Sequence, residues 1–499
     1  MLNTLHPPRL GQRLALAALC CCPTLVWAAE PASSSGAALP MRLSMGAETV
    51  QLPGHERMGL VSGKLLFDIG HELWLGPVTY GAATGQRGGF FVGGIELQRR
   101  WALPGELSLS AGLSVGGGGG AGAPVGNGLM LRPALTLMKE LLGMRLGASV
   151  STVRFPGTAI HSHQMGLVLE WPANFQHVSL DRLGERLPTT QRSGVGFDRI
   201  ALTGARYALA QGQPEALRFG LVGVRLDQDL ATPGRSWGVE AAAGAQAHVA
   251  GYMEILAHLG QEVALGEHLR LGLRGAIGLG GGGTVPTGGG VIERVDGTLS
   301  LALPAAWQLG ASLGRVHGRT QGMQGQRTEL WLAHSLEPSL LPGQLRREGT
   351  AVANEWGAAL LHIAPMQRNQ GTRQSIETIG LVLNHGLGDH AYLTAQTYSA
   401  LAGAAGGYSI GLLGAGWASG TVQSDWRYGA ELLAGGAGGG GVRQASGALV
   451  QTQLWASRLM AAPGQRLRLS VGALASARGG SPAPVAAITW SRSFAVVGP

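Results

Sequence analysis

Two groups of residues have types and spacings that could do chemistry. His161, Ser162 and His163 follow one another in a stretch read as a loop. Histidines at i and i+2 share a strand face and could grip a metal weakly. His161 and Ser162 would point to opposite faces, so they make a poor base–nucleophile pair. Gly-x-Ser-x-Gly occurs at Gly112–Gly116, Gly310–Gly314 and Gly407–Gly411. In a chain with 84 glycines such matches arise by chance, and no helix is expected after any of them to form a nucleophile elbow. Catalytic, metal and cofactor sites are all read as none.

Two further groups are structural in type. Arg145, Arg270, Arg274, Arg427 and Arg468 each stand opposite an apolar face within an alternating stretch. If the apolar faces meet lipid, these arginines point inward, where a ring of them would favour anions or where they would pair with acids such as Glu431. Glycine clusters recur at Gly116–Gly120, Gly280–Gly283 and Gly435–Gly441, and include Gly116, Gly118, Gly120, Gly280, Gly282, Gly435, Gly438 and Gly440. Such clusters could let backbones approach closely, as a constriction or a threefold-like platform, or could be turns that end a strand; the structural role is favoured. Phosphate binding is not expected, because no helix N-terminus follows them.

The elements that must position these groups are strands. Leu107, Leu109, Ala111, Leu113 and Val115 alternate with Ser108, Ser110, Gly112 and Ser114. Leu467, Leu469 and Val471 alternate likewise with Arg468, Ser470 and Gly472. A period of two with large apolar groups on one side marks strands that face two media.

Those strands fall into three copies of one unit. Gly59, Gly220 and Gly380 head matching Gly-Leu-Val segments, 161 and 160 residues apart. Leu146-Gly147-Ala148, Leu309-Gly310-Ala311 and Val471-Gly472-Ala473 repeat at nearly the same interval, with a glycine cluster between the two markers in each copy. The copies are read as 41–175, 195–335 and 354–494, with connectors at 176–194 and 336–353. In the first copy strands are expected near Arg42, Met58, Glu72, Gly88, Glu106, Gly128, Met144 and His163. Eight per copy gives about 24 strands, with 18 as the alternative, in an all-β antiparallel barrel.

Composition agrees with that reading. Charged residues are 13% of the chain, about half the usual share of soluble domains, and the net charge of +8 is scattered, which argues against a nucleic-acid partner. Arg9, Arg13 and the apolar run Leu14–Cys22 resemble a secretory signal ending at Ala28, followed by a disordered leader at 29–40. All three cysteines, Cys20 to Cys22, lie in that signal, so the exported chain is expected to hold no disulfide.

At the other end, Ile488, Trp490, Arg492 and Phe494 alternate with Thr489, Ser491 and Ser493. This resembles the terminal strand of bacterial outer-membrane β-barrel proteins, porin-like in the broad sense, except that 495–499 trail past the Phe. The resemblance implies outer-membrane lipid and the barrel-assembly machinery as partners, with Trp490 and Phe494 as the assembly signal. Trp101, Trp171, Trp331, Trp356, Trp455 and Trp490 are expected in an interfacial belt. The leading functional expectation is one wide ring serving as an outer-membrane channel or translocation pore for a polar or anionic solute or polymer. The alternatives are a surface scaffold or binding protein of three small barrels, and an outer-membrane lipid-modifying enzyme.

Overall fold

The computed structural model describes residues 37–189, 192–209, 217–319, 323–336, 347–479 and 481–498. The signal and residues 29–36 of the leader lie outside them. The chain is all-β and antiparallel. β1 (Ala37–Gln51), β2 (Arg57–Asp68), β3 (Leu73–Thr84), β4 (Phe91–Leu103), β5 (Leu107–Gly119), β6 (Leu129–Leu141), β7 (Met144–Arg154) and β8 (His161–His177) form the first closed barrel. A short connector strand, β9 (Arg186–Thr189), follows.

The second closed barrel holds β10 (Arg199–Leu209), β11 (Arg218–Asp229), β12 (Arg235–Gly244), β13 (Met253–Ala264), β14 (Leu269–Gly281), β15 (Val291–Ala302), β16 (Trp307–Gly318) and β17 (Gln324–Ser335). The third holds β18 (Arg347–Gln367), β19 (Arg373–Gly386), β20 (Ala391–Ala402), β21 (Ser409–Ala418), β22 (Trp426–Gly438), β23 (Ala448–Leu459), β24 (Gln465–Ser476) and β25 (Ala483–Gly498). It closes where β18 pairs with both β19 and β25, and β9 adds to the free start of β18.

Eight strands per repeat and 24 barrel strands agree with the sequence reading; one wide ring does not. Each repeat closes on itself, β1 on β8 through Met41↔Ala173 and β10 on β17 through Thr203↔Trp331. The physical reason lies on the inward faces. An eight-stranded barrel is just wide enough for side chains to fill. Each repeat supplies long Arg, Glu, Gln and Tyr side chains that reach across such a lumen and pair.

Several boundaries move for related reasons. Residues 37–40 of the expected leader are part of β1, held against Asn174–His177. The expected tail continues β25 to Gly498, because β18 starts early enough to pair Thr350–Ala353 with it. Residues 347–353 of the second connector therefore belong to the barrel, while 337–346 lie outside the described residues. The first connector docks on the third barrel, where Val178 and Ala495 exchange backbone hydrogen bonds and Leu187 packs against Ala351 and Val497.

The two ends of each barrel differ. In the first, the turns at 69–72, 104–106 and 142–143 lie at the end that carries the chain termini. The opposite end carries 52–56, 85–90, 120–128 and 155–160. Short turns at one end and longer loops at the other are the pattern of outer-membrane barrels, with the loops outside the cell.

Candidate functional site: the junction of three filled barrels

The inward faces are occupied by charge that is paired. In the first barrel Glu170 accepts two hydrogen bonds from Arg100, at 2.7 and 2.6 Å, and one from Arg145 at 3.3 Å. Lys64 donates to Glu96 at 2.8 Å, and Arg132 makes a two-point contact with Glu48 at 2.8 and 2.7 Å. In the second, Glu329 receives Arg225 at 3.1 Å, Arg274 at 2.8 Å and Arg327. Arg294 bridges Glu240 and Asp296, and His258 meets Asp227 at 2.8 Å. The third uses fewer charges: Glu431 accepts from Arg468, Gln453, Gln396 and the Tyr392 hydroxyl. Two-point arginine–carboxylate contacts are both strong and geometrically demanding, so these networks fix the shape of each lumen.

Toward the loop end each lumen becomes apolar. Leu60, Phe90, Met130 and Ile160 pack together in the first barrel. Phe219, Tyr252, Ile292 and Met323 do so in the second, and Leu361, Tyr408, Ile410 and Leu433 in the third. Charge below and hydrocarbon above leave each interior filled.

The five singled-out arginines are distributed over the three interiors. Arg274 lies 2.8 Å from Glu329, Arg427 3.7 Å from Glu355, and Arg468 pairs with Glu431. Arg145 bridges Glu170 and Glu140 near the turn end, and Arg270 is exposed at the turn-end mouth of the second barrel. Of the expected tryptophan belt, Trp331 and Trp455 are instead interior. Arg225 and Arg274 lie over the Trp331 ring at 4.7 and 5.2 Å, and Arg468 lies over Trp455 at 4.4 Å. Strand parity decides this: Trp331 shares a face with Glu329, and Trp455 with Gln453. The exposed aromatics at the turn-end rim are Trp307, Trp417, Trp426 and Tyr428.

His161-Ser162-His163 opens β8 rather than lying in a loop, because Arg154 and Val153 continue the ladder opposite His161 and Ser162. Ser162 points inward and accepts the Gln51 N–H at 2.9 Å, while both histidines face out. The Gly-x-Ser-x-Gly serines sit in mid-strand or at a strand start. Ser114 donates to Glu96 at 2.6 Å, Ser312 accepts from Arg327, and Ser409 meets Ser399. Among the described residues no group of three or more His, Cys, Asp or Glu side chains is placed to hold a metal.

The glycine clusters converge between the barrels, at the loop end. Gly88 of the first barrel donates to Gly288 of the second at 2.8 Å. Gly406 and Gly407 of the third donate to Gly126 and Gly118 of the first at 3.1 and 3.0 Å. Gly251 of the second barrel lies against Gly438 and Gly439 of the third. Each barrel thus offers one glycine turn to the next and receives another, a head-to-tail contact that closes after three.

Side chains would prevent this contact. A Cβ on Gly407 would stand 2.7 Å from the Gly120 nitrogen, one on Gly251 2.8 Å from the Gly439 nitrogen, and one on Gly89 would fall on the backbone of Gly281 and Gly282. These three glycines share one backbone conformation, φ of 92°, 93° and 92° at Gly89, Gly251 and Gly407, in the left-handed region that favours glycine.

The expected clusters divide accordingly. Gly118, Gly120, Gly282 and Gly438 stand at the seams, whereas Gly116, Gly280, Gly435 and Gly440 are crowded by their own barrel: Gly93, Glu254, Gly411 and Ala405. What the sequence reading passed over is the partner turn: Gly88-Gly89-Phe90, Ala250-Gly251-Tyr252 and Gly406-Gly407-Tyr408. The glycine makes the seam and the aromatic after it, at most 1% exposed, seals its own barrel. A repeated glycine–aromatic dipeptide before the fourth strand of each barrel was the available signal.

At the centre the three sets of turns enclose a cavity of about 450 Å³. Gly89, Gly120, Gly251, Gly282, Gly407 and Gly439 line it, so its wall is largely backbone. The first and third barrels also meet along an apolar seam. Ile379 and Leu401 pack with Leu129 near the loop end. At the turn end Phe494 and Trp356 pack on Phe175, with ring centres 4.9 and 5.0 Å away.

Away from the seams the exterior is hydrocarbon. Met165 and Leu167, Leu273, Leu313 and Leu330, and Leu432, Leu454 and Val471 are each more than 60% exposed. An outward apolar band on closed antiparallel barrels is the exterior of an outer-membrane β-barrel protein.

No protein-family model and no curated protein sequence matches the chain. Solved structures align along most of it. The Pseudomonas aeruginosa protein OccK11 (OpdR) is 12% identical over 92% of this chain and 96% of that one, with a TM-score of 0.22. Acinetobacter baumannii OccAB3 is 8% identical over 92% and 99%, at 0.21. The FrpB iron transporter of Neisseria meningitidis is 7% identical over 92% and 81%, at 0.28. At such scores neither the arrangement of barrels nor a function passes from those proteins to this one, and the architecture described above rests on this chain's own pairing and surfaces.

Proposed function

We propose that the protein resides in the bacterial outer membrane as a surface scaffold and binding protein, with the three-barrel junction as its outward working face. One observation carries the reading: all three lumens are filled with paired charge and apolar side chains, which leaves the glycine-walled cavity as the space the three barrels share. A filled eight-stranded barrel is a rigid mount rather than a conduit. The exposed apolar belt supports the membrane setting, since so much contiguous hydrocarbon in water would drive aggregation. Assembly through the C-terminal strand fits Ile488 and Trp490, which face outward, while Phe494 is turned into the seam with the first barrel.

The channel expectation is kept in one form, favoured by the place of the cavity where the three barrels meet: passage would run between the barrels. Single-channel recording of the reconstituted full chain tests the two readings. The scaffold reading expects no steps above background. Steps that Gly120→Trp abolishes and Arg468→Gln leaves unchanged would overturn it in favour of passage at the junction. Anion selectivity is not part of the proposal, because Arg274 lies in the second interior and Arg427 and Arg468 in the third, each beside a carboxylate.

A further inference from the structure

At the loop end of the first barrel a polar patch interrupts the hydrocarbon belt. At the loop ends of β7 and β8, Thr152, Arg154, His161 and His163 face outward together. Arg154 is the cross-strand neighbour of His161, and Thr152 of His163. The two imidazoles are 4.7 Å apart between ring centres, and the Thr152 hydroxyl lies 2.8 Å from the His163 Nδ1. The outward positions of β6, β7 and β8 carry no acidic residue at all.

Beneath this polar cluster runs an open groove of about 680 Å³. It starts at Thr152 and His163 and continues over Ala134 and Met165. Its origin is local. Pro133 has no N–H to donate, and the β6–β7 ladder passes from Leu131↔Arg154 to Ala134↔Ser151 with no pairs between. The other barrels differ: the second presents Arg315 and His317 outward, but His317 stands between Gln324 and the acidic Glu293, and the third presents Pro484 and Ala486.

An arginine facing lipid costs ~2–4 kcal/mol at the bilayer midplane and only about 0–1 kcal/mol near its surface. The cluster stands at strand ends, where the headgroups lie if the barrel spans as proposed above. A basic, acid-free cluster at headgroup level, continuous with an apolar groove at acyl-chain level, matches one class of ligand in both charge and shape. We infer that this face of the first barrel is a binding site for a phosphorylated, acylated lipid of the outer leaflet, with the phosphate at Arg154, His161 and His163 and one chain in the groove. The inference rests on the membrane reading of the preceding section.

Native mass spectrometry of the full chain in detergent tests it, with a bisphosphorylated lipid A, phosphatidylethanolamine and inorganic phosphate as probes. Lipid A should be retained, and retention should fall about tenfold in the combined Arg154→Ala, His161→Gln, His163→Gln variant, in keeping with the loss of charge-assisted contacts. Ala111→Trp, which fills the groove from the outward face of β5 and leaves the cluster intact, should also weaken it. Equal retention by wild type and the triple variant would overturn the site, as would retention of inorganic phosphate alone or loss of lipid on adding a chelator. Flotation of each protein with phosphatidylethanolamine vesicles is read separately. Variants that float but retain lipid A unchanged refute the site and leave the membrane reading standing, whereas wild-type protein that does not float refutes that reading.

Discussion

The barrel interiors and the seams between barrels are packed by opposite means. Inside, long side chains cross the lumen and satisfy one another, as where Glu329 holds three arginines. At the seams side chains are absent, and Gly88, Gly406 and Gly407 bring backbone amides onto the carbonyls of the next barrel. The difference separates two roles within one repeat, for charge closes each barrel and glycine joins the three. It also implies that the two kinds of packing fail differently.

The largest effect is expected inside. Glu329→Ala leaves Arg225, Arg274 and Arg327 around an uncompensated gap, and breaking a buried charge network from one side costs ~3–5 kcal/mol. Urea unfolding of the refolded protein, followed by heat-modifiable gel mobility, should show the second barrel losing its folded form first. An unchanged midpoint would break the contrast, since the interior would then owe little to its charges.

A smaller effect of another kind is expected at the seam. Gly407→Leu forces a branched side chain into φ of 92°, which costs about 1–2 kcal/mol for the backbone alone, and pushes against Gly120. The barrels should stay closed while the distance between spin labels on the first and third barrels broadens. A label distance as narrow as in wild type would show that the apolar seam at Phe494, Phe175 and Trp356 suffices without the glycines.

The smallest effect concerns a loop outside both regions. Arg87 donates to both oxygens of Glu56 at 2.8 and 2.6 Å, and that pairing holds the Glu56 carboxyl below its ordinary value of 4.5. A carboxylate whose folded pKa is lowered stabilises above its unfolded value and loses that contribution as pH falls through the folded one. Glu56→Gln should therefore cost only ~0.2–1 kcal/mol at neutral pH, a difference that disappears under acid. A difference that persists below the titration of Glu56 would mean that the Arg87 contact with the Ala121 carbonyl, 2.9 Å, sets the loop instead.

Much of the fold is legible in the residues. Expected strand starts at Met58, Glu72, Glu106 and Met144 fall within one residue of β2, β3, β5 and β7, because alternation is a local property of the backbone. The inward turn of Arg274 and Arg468 follows from the same parity. Their partners do not: Arg100 meets Glu170 over 70 residues of chain and Arg225 meets Glu329 over 104, and nothing in the spacing of these residues pairs them. The junction was half legible. The glycine clusters stand out by composition, but half of each contact comes from the turns at Gly89, Gly251 and Gly407, of which only Gly407 was singled out, and that as part of a serine motif.

By itself, then, the sequence determined a repeated, antiparallel, two-faced sheet of 24 strands, since periodicity and repetition are written residue by residue. Only the tertiary structure decided that the sheet closes three times rather than once, because closure depends on whether inward side chains can span and fill the lumen they enclose. It alone decided that the glycines join barrel to barrel, because a contact between surfaces more than 150 residues apart in the chain exists only once both have folded.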